Sequence, residues 1–286
     1  MDIAIVGGGA IGLLTGAYLG RDHMVHMYVR REEQAEQLKQ EGISCSSLEG
    51  AVPVHSHLVT EGFLSHDLVI IAVKQDQVPS VLQEIRNTNS SLLFLQNGMA
   101  HLELIPDYSN ALIGVVDHGA LKIDDRTVEH LGKGTIQVAP FKKGATVQSL
   151  VDELCQEDFP VLYRKDYQKL MVAKLVVNTV INPLTALFEV RNKQINDNPS
   201  IQRIAYTLCE EVCGVFNLPH EEEWERVRLV AERTGENESS MFKDIKAGRK
   251  TEIDAISGYV LRKSNRDVPY HQFVVDAIHA KERRGS

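Results

Sequence analysis

Three polar side chains interrupt one long apolar segment in the second half of the chain. Lys174, Asn178 and Asn182 lie four residues apart, so on a helix they fall within about 80° of one face. The residues between them are almost all apolar, which predicts a buried helix that ends near Pro183. A buried lysine is costly unless it is paired or loses its proton, so a lysine beside two amides is a functional candidate. The alternative is a lysine that reaches solvent from a surface helix.

A glycine-rich turn near the start of the chain has the spacing of a phosphate-binding loop. The segment Gly7-Gly8-Gly9-Ala10-Ile11-Gly12 contains G-x-G-x-x-G between an apolar run at 2–6 and a segment of helical periodicity. The first glycine permits a tight turn, the second lets a pyrophosphate approach the backbone, and the third lets helix and strand pack closely. The helix N-terminus adds N–H donors. The motif predicts dinucleotide binding; the alternative is an ordinary glycine-rich turn.

The second predicted strand ends in basic residues. NAD-binding domains place an acidic residue there, which binds the ribose 2′-hydroxyl. Here the strand ends in Arg30 and Arg31, and Arg30 can form a bidentate pair with a 2′-phosphate, which favours NADP. Lys74 follows the apolar segment 68–73, at the strand end where open α/β sheets bind ligands. The alternative is that both arginines are solvated at a helix start.

Other polar clusters have simpler interpretations. Ser239 or Ser240 is a candidate helix N-cap, and Thr251 before Glu252 is another. The segment 55–57, His-Ser-His, alternates like a strand rather than forming a metal site, and no metal site is predicted. No G-x-S-x-G hydrolase motif occurs.

The order of periodic segments predicts an α/β fold in two domains. Strands are predicted at 2–6, 24–29, 68–73, 91–95 and 111–116, with helices between them, and a β-hairpin at 127–138 across Gly132-Lys133-Gly134. Beyond about residue 146 helical periodicity replaces alternation, at 166–181, 201–216, 221–233, 252–262 and 273–280. We therefore expect an N-terminal Rossmann-type, doubly wound sheet over 1–145 that binds NADP. An all-helical substrate and catalytic domain over 146–286 would follow it.

Composition narrows the class of protein. The 286 residues contain 31 Lys+Arg and 39 Asp+Glu, a net charge of −8, which argues against an extended nucleic-acid interface. The longest uninterrupted apolar runs are too short to span a bilayer, so no membrane association is expected. The absence of a signal-peptide pattern and the low number of cysteines, 4, indicate a cytoplasmic protein.

Several motifs in this order resemble the ketopantoate reductase (2-dehydropantoate 2-reductase) family. They are the glycine-rich turn, 73–74, 96–99, 118–120, 174–186, 239–241 and 251–254. The resemblance covers nearly the whole chain, and the segments around Lys174 and at 239–254 are more specific than the glycine motif. It implies NADPH-dependent reduction of 2-dehydropantoate to D-pantoate, in pantothenate and coenzyme A biosynthesis. One departure is Val115-Val116-Asp117, where many members carry threonines.

The resemblance also implies roles for individual residues. Lys174 matches the family's proton donor, and Glu252 matches an acid that contacts the cofactor and helps to organise the active site. Four residues match substrate contacts: Asn178, Asn182, Asn192 and Ser240. Besides Glu252, four residues outside the glycine-rich turn match cofactor contacts: Arg30, Lys74, Asn97 and Ala120. A positioned ammonium suits the reaction because hydride addition to a ketone builds negative charge on its oxygen.

Two alternatives remain open at this point. One is another NADP-dependent 2-oxoacid or hydroxyacid dehydrogenase, and the other is a non-catalytic NADP(H)-binding sensor. A sensor has no need for a buried lysine flanked by amides. The sequence leaves a monomer and a homodimer equally open.

Overall fold

The described residues form two compact units. The computed structural model describes residues 1–85, 89–142 and 147–283. One unit consists of Met1–Gln96 with His101–Leu170, and the other of Asn97–Ala100 with Met171–Ser286. Within the described residues, all strands belong to the first unit, and the second unit is helical.

Twelve described strands form two sheets in the first unit. In chain order they are β1 (Asp2–Val6), β2 (Met24–Val29), β3 (Ile43–Cys45), β4 (Ala51–Val52), β5 (His55–Leu58), β6 (Leu68–Ile71), β7 (Ser91–Phe94), β8 (Ala111–Val116), β9 (Gly119–Lys122), β10 (Thr127–Gly132), β11 (Ile136–Pro140) and β12 (Val161–Tyr163). The larger sheet has the order β12-β11-β8-β7-β6-β1-β2-β5, and the smaller one β4-β3-β10-β9.

The central part of the larger sheet is parallel. Strands β5, β2, β1, β6, β7 and β8 pair in parallel, whereas β11 runs antiparallel to β8. Numbered along the chain, these six parallel strands have the Rossmann order 3-2-1-4-5-6, with the order reversing between β1 and β6. The predicted Rossmann-type sheet is confirmed.

Four described α-helices accompany these sheets. They are α1 (Ala10–Leu19), α2 (Glu32–Glu41), α3 (Val78–Glu84) and α4 (Gln148–Leu154). Helix α1 is buried from Gly12 to Leu19, because it packs against the larger sheet and also contacts β3, β9 and β10 of the smaller one. Apolar side chains of β1, α1 and β2 share one core cluster, as in Ile3, Leu13 and Met27. That core holds α1 against β1 and β2, and the helix begins at Ala10, within the glycine-rich segment 7–12.

The predicted hairpin at 127–138 is wrong. Strand β10 pairs with β9 and β3 in the smaller sheet, whereas β11 pairs with β8 and β12 in the larger one. Gly132 lies at a register shift between β10 and β9, and a Cβ on Gly134 would lie 2.5 Å from the carbonyl oxygen of Asp117. The two glycines therefore carry the chain from one sheet to the other instead of closing a turn.

The two compact units divide at Leu170, later than the expected boundary at 145/146. The residues on either side of that expected boundary, 143–146, lie outside the described part of the chain. Helix α4 and strand β12 extend the first unit because β12 pairs in parallel with β11, and Val151, Leu154 and Val161 join the core cluster of β1 and α1. At three residues, β12 is too short to show the alternation that sequence periodicity detects.

Seven helices are described after the last strand. They are α5 (Tyr167–Phe188), α6 (Gln194–Asp197), α7 (Pro199–Phe216), α8 (His220–Arg233), α9 (Ser240–Lys246), α10 (Ser257–Lys263) and α11 (Pro269–Glu282). The predicted end of α5 near Pro183 is wrong, since the helix continues to Phe188. Proline removes the bond to the carbonyl of Thr179, but Val180 and Leu184 on either side are at most 1% exposed, so packing outweighs the lost bond.

Helix α5 is long and apolar enough, by length and composition, to cross a membrane. Lys174, Asn178 and Asn182 interrupt its apolar runs, so the sequence shows no uninterrupted run of spanning length there. In the structure 61% of its most apolar window is buried inside the protein. Its burial is that of a core helix.

A buried histidine makes stability depend on pH. His101 is 0% exposed, stacks on the Phe94 ring, and has a pKa lowered by burial from 6.5 to about 4. Between pH 6.5 and about 4, His101 is therefore protonated in the unfolded state but stays neutral in the folded state. The free energy of unfolding decreases as the pH falls through that range. At about 1.4 kcal/mol per unit, the loss is about 3 kcal/mol.

We expect His101→Leu to remove most of this pH dependence. Urea unfolding of wild type and variant at pH 7 and pH 4 measures it, and the variant should lose about 3 kcal/mol less than wild type between them. The exposed His55→Gln variant is the control and should lose as much free energy of unfolding between pH 7 and pH 4 as the wild type. An equal loss in His101→Leu and wild type would contradict the prediction.

Candidate active site

The glycine-rich turn joins β1 to α1, and each of its glycines meets a different environment. Gly7 has φ +118°, and a Cβ on it would lie 3.0 Å from the backbone of Ala72. A Cβ on Gly12 would lie 1.9 Å from the carbonyl oxygen of Gly7, so only glycine fits there. Gly9, the N-cap of α1, has no atom within 4 Å of the position of a Cβ. Gly9, the second glycine of the G-x-G-x-x-G motif, thus leaves open space beside a helix N-terminus, as a bound pyrophosphate requires.

Two side chains from distant segments hold the carbonyl of Gly8. Gln34 Nε2 donates to Gly8 O at 2.9 Å, and Lys122 Nζ donates to the same oxygen at 3.0 Å. Asp125 accepts from Lys122 at 3.0 Å and from Arg31. Burial raises the pKa of Asp125, but these hydrogen bonds outweigh it, so its pKa lies below the ordinary value. The turn is therefore fixed from outside as well as by its glycines.

The end of β6 lies directly beside the turn. Gln96 Nε2 donates to the carbonyls of Ile71 and Val73, at 2.8 and 3.0 Å, and so fixes the chain that leaves this strand. Because Val73 also lies against Gly7, the next residue, Lys74, is placed close to the turn, at the reversal point of strand order. The role of Lys74 in cofactor binding stays a prediction.

Arg30 and Ala120 lie on two other elements of this unit. Arg30 follows the last residue of β2 and is exposed, whereas the neighbouring Arg31 is paired with Asp125. Ala120 is half-buried on β9, two residues before Lys122, whose ammonium reaches Gly8. Residues i and i+2 of a strand share a face, so Ala120 lies on the same face of β9 as Lys122. This is the face from which Lys122 reaches the glycine-rich turn.

Helix α5 presents the predicted polar stripe in the second unit. Lys174 and Asn178 are half-buried and Asn182 is buried, whereas Leu175 and Val176 are at most 1% exposed. The stripe therefore follows the border of the packed face of the helix. Lys174 and Asn178 therefore combine partial desolvation with access for a ligand, whereas Asn182 lies deeper in the same row.

The start of α9 is tied to α5. Ser239 is the N-cap of α9, as predicted for this pair of serines, and its Oγ accepts from Phe242 N at 3.1 Å. Thr185 on α5 donates to the same oxygen at 2.7 Å. Ser240, the first residue of α9, is exposed, so its hydroxyl is accessible to a ligand.

Asn192 is already engaged within its own unit. Its Nδ2 donates to Thr234 Oγ1 at 2.9 Å, and its backbone N–H donates to Asn237 O at 3.1 Å. The side chain is buried, and among the described residues its Oδ1 has no hydrogen-bond partner. Oδ1 is therefore the polar atom of the Asn192 side chain that a substrate would contact.

Asn97 and Glu252 are brought together directly. Asn97 Nδ2 donates to Glu252 Oε2 at 3.1 Å, and Met99 N donates to Ala255 O at 3.2 Å. Gly98 has φ +73°, and a Cβ there would lie 2.1 Å from Ala255 O. Residues 97–99 thus pack against the turn at 252–255, which fixes both predicted side chains.

Thr251 organises that turn, although it does not begin a helix. Its Oγ1 accepts from Ile253 N at 3.2 Å, whereas α10 begins only at Ser257. The expectation of a helix from Glu252 is therefore wrong at its start. The reason is that the polar residues of 251–254 bond locally, and Thr251 N donates to Glu282 at 2.7 Å.

Local motifs and periodicity do not identify the residues that hold the glycine-rich turn. Gln34 and Lys122 reach Gly8 from 26 and 114 residues away. Gln96 lies within the motif at 96–99, but nothing in the local sequence assigns its amide to the end of β6. No local signal could have found these contacts, because they form only when the fold brings α2 and β9 to the same turn.

The fold and these side chains define a class. A Rossmann-type unit with a dinucleotide turn, followed by a helical unit with a lysine and asparagines on one helix face, is an oxidoreductase of the nicotinamide-dinucleotide type. The model of "Ketopantoate reductase PanE/ApbA" matches residues 3–143, and that of its C-terminal part matches residues 166–282. The chain belongs to the ketopantoate reductase PanE/ApbA family.

Individual relatives agree with the family assignment. The 2-dehydropantoate 2-reductase of Bacillus subtilis (strain 168) is 37% identical over 294 residues, which cover 99% of this chain and 98% of that protein. A crystal structure described as a probable 2-dehydropantoate 2-reductase from Bacillus subtilis matches with TM-score 0.88, 34% identity, and coverage of 98% and 100% of the two chains. A ternary structure of D-mandelate dehydrogenase with NADH and anilino(oxo)acetate matches with TM-score 0.93, 25% identity, and coverage of 100% and 99%.

Proposed function

We propose that this chain reduces 2-dehydropantoate (ketopantoate) to D-pantoate with NADPH, in pantothenate and coenzyme A biosynthesis. The observation that carries the proposal is the stripe of Lys174, Asn178 and Asn182 on an otherwise apolar helix. Relatives that match almost the whole chain are named 2-dehydropantoate 2-reductase, which supports this substrate. The cytoplasm is the proposed location, and a small 2-oxoacid is the proposed partner.

The residues of the first unit suit a nicotinamide dinucleotide. The open space at Gly9 and the close packing at Gly12 match what a pyrophosphate and its helix require. When bound, NADPH supplies the hydride. Gly7 to Gly12 would hold its pyrophosphate, and Arg30 and Lys74 would bind its 2′-phosphate. Ala120, Asn97 and Glu252 are proposed as further contacts of the cofactor.

Lys174 is the proposed proton donor. As the ketone carbon receives hydride, its C=O double bond becomes a C–O single bond and negative charge gathers on the oxygen. The Lys174 ammonium stabilises that charge and gives it a proton, which leaves an alcohol and a neutral amine. Glu252, fixed by Asn97, is proposed to organise the lysine and the cofactor. Asn178, Asn182, Asn192 and Ser240 are proposed to bind the substrate's carboxylate and hydroxyl.

A coupled assay tests the function directly. Purified protein is mixed with ketopantoate and either NADPH or NADH, and loss of reduced nicotinamide absorbance is followed. We expect rapid turnover with NADPH and ketopantoate. Nucleotide binding without turnover of any 2-oxoacid would contradict the proposal and support a non-catalytic sensor.

Another hydroxyacid dehydrogenase is the second candidate function. The similarity to D-mandelate dehydrogenase over the whole chain is the observation that favours it. A panel of 2-oxoacids at fixed NADPH, including phenylglyoxylate, the oxidised form of mandelate, separates the two. A higher kcat/KM for phenylglyoxylate than for ketopantoate would select the second candidate.

Arg30 is proposed to set the preference for NADPH. Arg30→Asp should lower kcat/KM for NADPH at least tenfold and improve it for NADH, since an acid repels the 2′-phosphate and accepts from a 2′-hydroxyl. The ratio of the two kcat/KM values is the measurement. Arg203→Asp, the same change at an exposed arginine of α7, is the control for net charge. An unchanged ratio in Arg30→Asp would show that Arg30 is only a solvated residue.

A further inference from the structure

One face of the larger sheet carries a cluster of polar rings that the proposed reaction does not use. Alternate residues of β1 and β2, such as Ile3, Ile5 and Met27, enter the apolar core on one face of this sheet. The intervening residues lie on the other face, where Asp2, His26, Tyr28 and His57 come from β1, β2 and β5. His66 joins them from the segment before β6.

Three of these side chains converge on one point. His26 Nε2 lies 3.7 Å from Asp2 Oδ1, and His66 Nδ1 is in direct hydrogen-bond contact with that same oxygen. One ligand atom from each residue lies within 4.8 Å of the other two. The side chains of His26 and His66 are 10% and 1% exposed, whereas that of Asp2 is 39% exposed. The point of convergence is therefore walled by two imidazoles and reached from solvent past a carboxylate.

The remaining ring nitrogens are held by further partners. His26 Nδ1 is 2.9 Å from His57 Nε2, and His66 Nε2 is 2.9 Å from Tyr28 Oη. Tyr28 Oη also accepts from Leu64 N at 3.2 Å. Metal-binding histidines are oriented in this way, with one nitrogen on the ion and the other in a hydrogen bond.

His26 Nε2 is the atom that points to a ligand. Its atom surface is buried, and across the described residues it has no hydrogen-bond partner. When Nδ1 donates to His57, Nε2 carries a lone pair that faces the Asp2 carboxylate at 3.7 Å. Two acceptors that face each other at a partly buried point are stabilised by a cation between them.

We propose that Asp2, His26 and His66 bind a divalent transition-metal ion of the Zn²⁺ type. Two imidazoles and one carboxylate are a donor set that Zn²⁺ uses, with the fourth position left to water. Ligand atoms on a tetrahedral zinc lie roughly 3.3 Å apart, given bonds of about 2.0–2.1 Å. The 3.7 Å distance therefore needs a small contraction, and the His66–Asp2 contact opens as zinc replaces the shared proton.

This site is separate from the nucleotide turn. Asp2 begins β1 and Gly7 follows its end, so the two sites lie at opposite edges of the parallel sheet, roughly 16 Å apart at about 3.3 Å per residue. The bound ion would link β1, β2 and the segment before β6. Its effect is therefore expected on stability rather than on turnover, and the proposal stands independently of the proposed reaction.

Metal titration of tag-free, chelator-treated protein tests the site. We expect one Zn²⁺ per chain by isothermal titration calorimetry, a Tm that rises with Zn²⁺, and intense visible Co²⁺ bands typical of four-coordination. His26→Gln and Asp2→Asn should each weaken Zn²⁺ binding at least tenfold, while far-UV circular dichroism without metal stays unchanged. His55→Gln is the matched control, because the His55 ring stacks on His26 at 4.7 Å yet contributes none of the three ligand atoms.

The outcomes separate this proposal from its rivals. Loss of Zn²⁺ binding in His26→Gln and Asp2→Asn, with binding retained in His55→Gln, supports the ligand set. Absence of stoichiometric Zn²⁺ binding to the wild type would mean that the carboxylate and the imidazoles share only protons. Equal binding in His26→Gln and wild type, or equal loss in His55→Gln, would also overturn the proposal.

Discussion

Replacing Lys174 by Ala lowers kcat for ketopantoate reduction by about 10³-fold and leaves the Kd for NADPH near its wild-type value. Loss of a positioned general acid typically costs 10²–10⁴-fold, which sets this magnitude. The nucleotide is unaffected because its proposed phosphate contacts, from Gly7 to Gly12 with Arg30 and Lys74, belong to other segments of the chain. Lys174 is half-buried, so its truncation leaves no large cavity. Steady-state kinetics and nucleotide titration measure the two quantities.

Two further variants distinguish proton donation from charge alone. Lys174→Arg keeps the positive charge, but guanidinium holds its proton too firmly to donate it, so kcat stays far below wild type. Lys169→Ala, at an exposed lysine of the same helix, is the control and should stay within about twofold of wild type. Near-normal turnover of Lys174→Ala would end the assignment of Lys174 as the proton donor.

The elements that the sequence predicted well are those whose signal is local. Strands β1, β6 and β8 are short apolar runs buried on both faces, and such runs need no knowledge of their partners to be recognised. The glycine-rich turn is local too, since Gly12 is required by the carbonyl of Gly7, five residues earlier. The polar stripe of α5 also follows from periodicity alone.

What the sequence did not predict depends on contacts between distant segments. The glycines at 132 and 134 have the composition of a hairpin turn, but the partners of β10 and β11 lie in different sheets. Pro183 has a strong local preference against helix, which the packing of α5 outweighs. The convergence of Asp2, His26 and His66 required the register of parallel strands, which no single segment contains.

Gly9→Ala is expected to weaken NADPH binding at least tenfold and to leave Tm unchanged. Gly9 has φ −84° and ψ −175°, a conformation that alanine adopts freely, and no atom lies within 4 Å of the position of its Cβ. The added methyl group therefore costs the free protein almost nothing. The methyl group occupies the space through which a pyrophosphate approaches the helix N-terminus. A tenfold loss of NADPH affinity corresponds to about 1.4 kcal/mol of binding free energy.

Gly12→Ala should behave differently, and the contrast is the sharper test. Its Cβ would lie 1.9 Å from Gly7 O, so the turn or α1 must shift, at a cost of roughly 1–3 kcal/mol or more in the free energy of unfolding. Gly132→Ala is the control with space, since its nearest neighbour would be 3.8 Å away, and it should change neither Tm nor affinity. Thermal unfolding and NADPH titration of the three variants give both readouts. The free protein has room for a Cβ at Gly9, so only a bound nucleotide requires glycine at this position. Wild-type NADPH affinity in a fully folded Gly9→Ala variant would therefore show that the pyrophosphate does not pass over Gly9.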